Sequence, residues 1–227
     1  YQGDIEHPLL VSRPVKNVLI LEITPDRGLA GGLPGNINRA TALFMMKQEV
    51  AASVVTVGRK GRDFMARTGR DLRASFMDMG DRPSLADTLP ITRLVERAFM
   101  EGETDEVHLA YTRYVNTLVQ EPVVTQLLPV NTGDLAETAV STGYLYEPNP
   151  LVVLGALLPR FLEVQVFQAF LESNASEQSA RMVAMRNATE AADDMIEGLT
   201  LELNKARQNM ITAELLDLVG GVAALEG

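Results

Sequence analysis

The sequence predicts an α/β protein: a Rossmann-like layered domain with a mostly parallel sheet, followed by one long C-terminal α-helix. Three observations carry this. The first 130 residues alternate short β-branched apolar runs with stretches of helical spacing. Residues 131 to 150 are rich in turn formers, with Asn131-Thr-Gly-Asp134 and Glu147-Pro-Asn-Pro150. From Arg160 to Val219 there is no proline, and the only glycine is Gly198. The chain is therefore expected to divide into an α/β domain at 1–150 and a helical segment at 151–227.

The elements follow in order. Asn17 to Thr24 is a short apolar run bounded by Arg13-Pro14 and Pro25-Asp26-Arg27-Gly28, and it reads as a buried strand. A glycine-rich loop leads into helical spacing from about Ile37 to Val50. Ala52 to Gly58 is a second strand, stopped by glycine. Lys60 to Thr68 reads as a short helix with Gly69 at its C-terminal cap. Leu72 to Met79 alternates as a third strand. Between Pro83 and Glu101 the spacing of Leu94, Val95 and Ala98 is helical. Pro90 places the expected start of that helix at itself, because proline is tolerated only in the first turn. Glu106 to Val115 and Pro122 to Val130 are strands with a short link, which makes an antiparallel hairpin or meander. Pro159 is expected to kink or restart the long helix.

Roughly sixty helical residues span about 90 Å, longer than a compact domain of the remaining chain is wide. Ile196, Leu199, Leu203, Ala206 and Met210 fall at spacings of 3, 4, 3 and 4. That is a coiled-coil seam over two heptads, so the helix needs a partner. No long helical pattern precedes the first strand. A second chain or an N-terminal helix absent from this sequence must supply the other half.

Composition narrows the function. Lys and Arg number 20 against 30 Asp and Glu, a net charge of −10, which is unsuited to general nucleic-acid binding. There are no cysteines, which excludes thiol catalysis and cysteine-ligated metals. His7 and His108 lie too far apart for ligand spacing, and His108, in a strand pattern, reads as a packing or surface residue. The longest apolar run, Leu151 to Leu158, is far short of a membrane span, and no basic-then-apolar leader opens the chain. No catalytic, cofactor or metal site is expected.

Two motifs have two readings each. The loop around Asp26, Arg27, Gly28, Gly31 and Gly32 sits where α/β folds bind phosphates. It matches neither the dinucleotide spacing nor the phosphate loop, so a structural turn is favoured. Asp193-Asp194, flanked by Glu190 and Glu197, could serve acid–base chemistry in a pocket, but a solvated helix face explains them better.

The run Ile23-Thr-Pro-Asp-Arg-Gly-Leu-Ala-Gly-Gly-Leu-Pro-Gly-Asn36 resembles the segment after the first strand of the gamma subunit of F-type ATP synthase. Leu158-Pro-Arg-Phe-Leu-Glu-Val-Gln-Val-Phe-Gln-Ala169 is similar to that family's opening of its C-terminal helix. Leu203-Asn-Lys-Ala-Arg-Gln-Asn-Met-Ile-Thr-Ala-Glu-Leu-Leu-Asp-Leu-Val-Gly-Gly221 is the most specific match. Ala30 departs from the cysteine common in the loop.

The resemblance implies a non-catalytic rotor subunit, the central stalk that couples ion-driven c-ring rotation to conformational changes in the alpha/beta ring. It implies an α/β domain inserted between two long helices wound as an antiparallel coiled coil, the N-terminal one being the missing partner. It also implies contact with the alpha, beta and epsilon subunits and the c-ring, peripherally at the cytoplasmic face of a bacterial plasma membrane. By motif position, Arg207, Gln208, Thr212 and Glu214 are implied to meet a catch loop of the beta subunit. Tyr144 and Glu147 are implied to form the foot on the c-ring. The competing reading is a small Rossmann-like nucleotide-binding enzyme with a helical oligomerisation arm.

Overall fold

The computed structural model describes residues 7–131 and 150–225. A 3₁₀ turn at Pro8–Leu10 precedes β1 (Asn17–Ile23), α1 (Leu33–Lys47), β2 (Ala51–Val57), α2 (Arg59–Arg67) and β3 (Asp71–Phe76). Then come α3 (Leu85–Met100), the strands β4 (Glu106–Tyr114) and β5 (Gln120–Leu128), and the helix α4 (Pro150–Leu225).

The five strands form one sheet in the order β3-β2-β1-β4-β5. β1 runs parallel to β2 and to β4, β2 runs parallel to β3, and β5 is antiparallel to β4. The expected mostly parallel sheet with an antiparallel edge is what forms. β1 is central and must be apolar on both faces, and every residue from Val18 to Ile23 is buried. Its alternate side chains feed two cores. Val18 and Ile20 pack with Ile37 and Met45 of α1 and Met65 of α2. Leu19, Leu21 and Ile23 pack with Ile91, Val95 and Phe99 of α3 and with Leu158, Leu162, Val166, Ala169 and Phe170 of α4. Pro122 lies in β5, at an edge of the sheet, where proline is tolerated.

Three expectations are corrected. Helix α3 begins at Leu85, not at Pro90. The Ser84 N–H donates to the Asp87 carboxylate at 2.7 Å, a cap that starts the helix a turn early and leaves Pro90 inside it. The Ser84 hydroxyl, which donates to the same carboxylate at 2.7 Å, and the Ser84 N–H together hold the Asp87 carboxyl below its ordinary range. Helix α4 does not restart at Pro159: it is one helix of 76 residues, and the turns on either side of the proline are anchored by Leu158 and Leu162 on the sheet.

The third correction concerns the boundary. The compact units are Tyr1–Val183 and Ala184–Gly227, so the division falls thirty-odd residues beyond the expected 150/151. The reason is the apolar stripe from Leu158 to Phe170, which belongs to the core of the α/β unit. In the second unit every residue from Met185 to Val222 is exposed. One window of α4 is also long and apolar enough to cross a membrane by those criteria alone, at mean hydropathy 1.3.

Buried Leu162 and exposed Leu203 make a contrasting pair. Leu162→Ala should cost about 2–5 kcal/mol in urea unfolding, whereas Leu203→Ala in the isolated chain should stay within about 0.5 kcal/mol. Equal costs would show that the two halves of α4 are not buried as described.

Candidate functional site

The glycine loop leaves the end of β1 under tight control. The Thr24 hydroxyl donates to the Val57 carbonyl at 2.9 Å and accepts the Gly61 N–H at 2.9 Å. Gly58 is obligatory beside it. Its φ is +96°, and a Cβ there would fall 1.9 Å from the Thr24 carbonyl oxygen. The Asp26 carboxylate then accepts two backbone N–H groups, from Arg59 at 2.9 Å and from Asp78 at 3.0 Å. One side chain thus ties three loops together. Arg59 closes the set with an ion pair to Asp78 at 3.1 Å, and Arg27 lies 3.8 Å from Asp81. Leu29 takes φ +64° and stands 72 % exposed between Gly28 and the buried Ala30.

This arrangement does not suit a phosphate. The N–H of Leu33, first in α1, is taken by the Ala30 carbonyl at 3.3 Å, and Pro34 next to it has none. The adjoining cleft, about 190 Å³, is lined by Asp26, Asp78, Asp81 and Glu177, with Arg27 as the one basic residue among them. Such a lining repels anions. The loop's hydrogen bonds centre on Asp26.

The second group of candidate residues lies on α4 in the unit Ala184–Gly227. Arg207, Gln208, Thr212 and Glu214 are all exposed. Arg207 and Glu214, seven residues apart, share one face within about 20°, and Gln208 and Thr212, four apart, share the adjacent one within about 40°. The Thr212 hydroxyl donates to the Gln208 carbonyl at 2.9 Å. Among the described residues Arg207 makes no ion pair along its own helix, so its forked guanidinium is free for another carboxylate. The predicted seam is exposed as well: Ile196 is 62 %, Leu199 59 %, Leu203 69 % and Met210 65 % exposed.

Other candidates resolve simply. Tyr144 and Glu147 lie outside the described residues. His108 is a packing residue, its ring 4.7 Å from that of Phe44 and its Nε2 3.0 Å from Glu106. Glu190, Asp193, Asp194 and Glu197 form an exposed helix face, on which Glu190 pairs with Arg186. Among the described residues no cluster of His, Cys, Asp and Glu could hold a metal ion. One buried ionisable residue, Glu22, was not singled out from the sequence. The signal was there: it is the only charged residue in an apolar strand.

An α/β unit with an occluded loop and an acidic cleft, carrying a helix with an exposed apolar seam and an exposed polar face, has the character of an interaction subunit of a larger assembly. The family description "ATP synthase" matches residues 1–225. An ATP synthase gamma chain of Dehalococcoides mccartyi is 56 % identical over 223 residues, covering 98 % of this chain and 78 % of that one. One from Roseiflexus castenholzii is 48 % identical, covering 96 % and 76 %. Among solved structures, a Tetrahymena thermophila mitochondrial ATP synthase central stalk and c-ring aligns at TM-score 0.64 with 26 % identity, covering 79 % of each chain. A Euglena gracilis mitochondrial ATP synthase structure aligns at TM-score 0.67 with 24 % identity, covering 93 % of this chain and 73 % of that one, and shows the shared fold. The chain belongs to the gamma-chain family of F-type ATP synthases. As such it is a central-stalk subunit of the complex and not itself a catalyst.

Asp26 is the structural pin of the loop. Asp26→Ala strands two backbone N–H groups and should cost about 1–3 kcal/mol. Hydrogen exchange should speed up at the Arg59 and Asp78 amides. Unchanged exchange at both would remove Asp26 from this role.

Proposed function

We propose that the chain acts as the rotating shaft of the complex, turned by an ion-driven c-ring and forcing the beta subunits through different conformations. The observation that carries this is a helix exposed at every residue from Met185 to Val222, in a chain 56 % identical to an ATP synthase gamma chain. A shaft must meet different partner conformations with one surface. Coupling arises only if its contacts differ in free energy between those states. An unpaired arginine beside a glutamine, with Thr212 and Glu214 one to two turns on, gives a directional polar catch on an otherwise apolar rod. Arg207 and Gln208 are its main contacts with a carboxylate-bearing loop of the beta subunit.

The exposed seam is the track for a second, antiparallel helix, which this reading assigns to an N-terminal segment of the same protein. Tyr144 and Glu147 form the foot on the c-ring, and the epsilon subunit binds the same stalk. The alpha and beta subunits surround the helix tip. The site of action is the cytoplasmic face of a bacterial plasma membrane, reached peripherally through the c-ring.

Co-assembly tests the reading. The full-length protein, mixed with alpha and beta subunits, should enter one complex by size-exclusion chromatography and change its rate of ATP hydrolysis. Arg207→Ala/Gln208→Ala should keep the complex but weaken that effect by about tenfold or more, since one lost charge-assisted contact is worth about 1.5–3 kcal/mol. Failure of the full-length protein to assemble would end the rotor reading. Assembly with an unaffected double mutant would move the catch elsewhere.

A further inference from the structure

The apolar run of β1 is broken by Glu22, which is 0 % exposed. Among the described residues neither of its carboxyl oxygens has a hydrogen-bond partner. The carboxyl lies where α1 and α2 meet the sheet. A Cβ built on Gly61 of α2 would stand 2.8 Å from Glu22 Oε2 and 2.8 Å from Thr24 Oγ1, so only a glycine lets α2 sit this close. The preceding carbonyl, that of Lys60, accepts from Asn38 Nδ2 of α1 at 3.3 Å. Asn38 Oδ1 and Thr56 Oγ1 are likewise buried and unpartnered among the described residues. Glu22 thus sits in a cluster of polar groups clamped between two strands and two helices.

We propose that Glu22 is a proton-binding latch: the neutral acid keeps α1 and α2 seated on the sheet, and loss of its proton loosens them beneath the loop at residues 26–32. A buried carboxylate with no compensating donor is unfavourable, so the fold selects the protonated form. Burial accordingly pushes the Glu22 carboxyl up from 4.5 to about 7. The Thr41 hydroxyl pulls the other way, but its proton is committed to the Ile37 carbonyl at 3.0 Å.

No charge on the packed elements offsets this. Arg39 of α1 is exposed. Lys60 of α2 holds its ammonium near Gly28, within 3.9 Å of where a Cβ would be. Arg59 is paired with Asp78, and Arg62 with Asp63. On β4, Ala110 is opposite Glu22, and His108 is held by Glu106. The nearby β2 contributes the uncharged Thr56.

The pH window follows. Below the ordinary carboxyl value both folded and unfolded chains hold the proton, and the stability contributed by Glu22 is complete. As pH rises from about 4.5 to about 7 the unfolded chain loses its proton first, and that stability is lost. A shift from 4.5 to about 7 corresponds to a roughly 300-fold rise in the unfolding equilibrium constant across the window.

The test uses the full chain and Glu22→Gln, which keeps the shape and cannot ionise. Carboxyl-carbon NMR of the native chain should give Glu22 a midpoint near neutrality. Urea unfolding from pH 4.5 to 8 should show the native chain losing up to about 300-fold in stability relative to Glu22→Gln. Amides of α1 and α2 should exchange faster than in the variant above pH 7, after correction for intrinsic rates. A midpoint in the ordinary carboxylate range, or parallel stability curves, would overturn the proposal. Should Glu22→Gln fail to fold, the native titration and the native exchange profile decide it.

Discussion

The double burial of β1 is the constraint on which the rest of this structure depends. A strand covered on both faces needs helices on both sides, and parallel neighbours need crossovers to supply them. Here α1 and α2 cover one face. On the other, α3 is joined by the stripe of α4 from Leu158 to Phe170. The helix that later carries Arg207 and Gln208 is therefore also a core element of the α/β unit. Its first half could not be removed without exposing Leu19, Leu21 and Ile23.

The strand-to-helix turn after β1 illustrates how one architecture is put to different uses. In this position many α/β proteins present free backbone donors to a phosphate. Here Pro34 removes one donor, Ala30 occupies another, and four carboxylates line the cleft. Asp26 instead turns its oxygens inward to backbone N–H groups and makes the loop a rigid corner. Fold alone would have pointed to a nucleotide site, and the local chemistry decides against it.

Much of this was legible in the sequence, because periodicity and turn residues report local geometry directly. The five strands, the antiparallel edge and the long helix follow from such patterns. The start of α3 was not legible, since Ser84 and Asp87 outweigh the proline rule only once their bond is made. The unit boundary was missed because the core stripe of α4 and its exposed seam look alike in sequence: both are apolar at helical spacing. What separates them is whether a sheet lies opposite, which is a tertiary fact. Arg207 and Gln208 came from motif resemblance. The structure adds their exposure and, among the described residues, the lack of an ion pair at Arg207, which no spacing rule could supply.

The exposure of α4 beyond Met185 bears on how any surface binds it. A helix with no buried side chain is held only by its own backbone bonds and short-range pairs, and such helices are marginal in water. Whatever packs on it must therefore spend part of its attraction on keeping the helix ordered. A large contact made this way can be specific and still moderate in affinity. A second helix packed along the seam would meet that ordering cost once, and later contacts on the paired rod would no longer carry it.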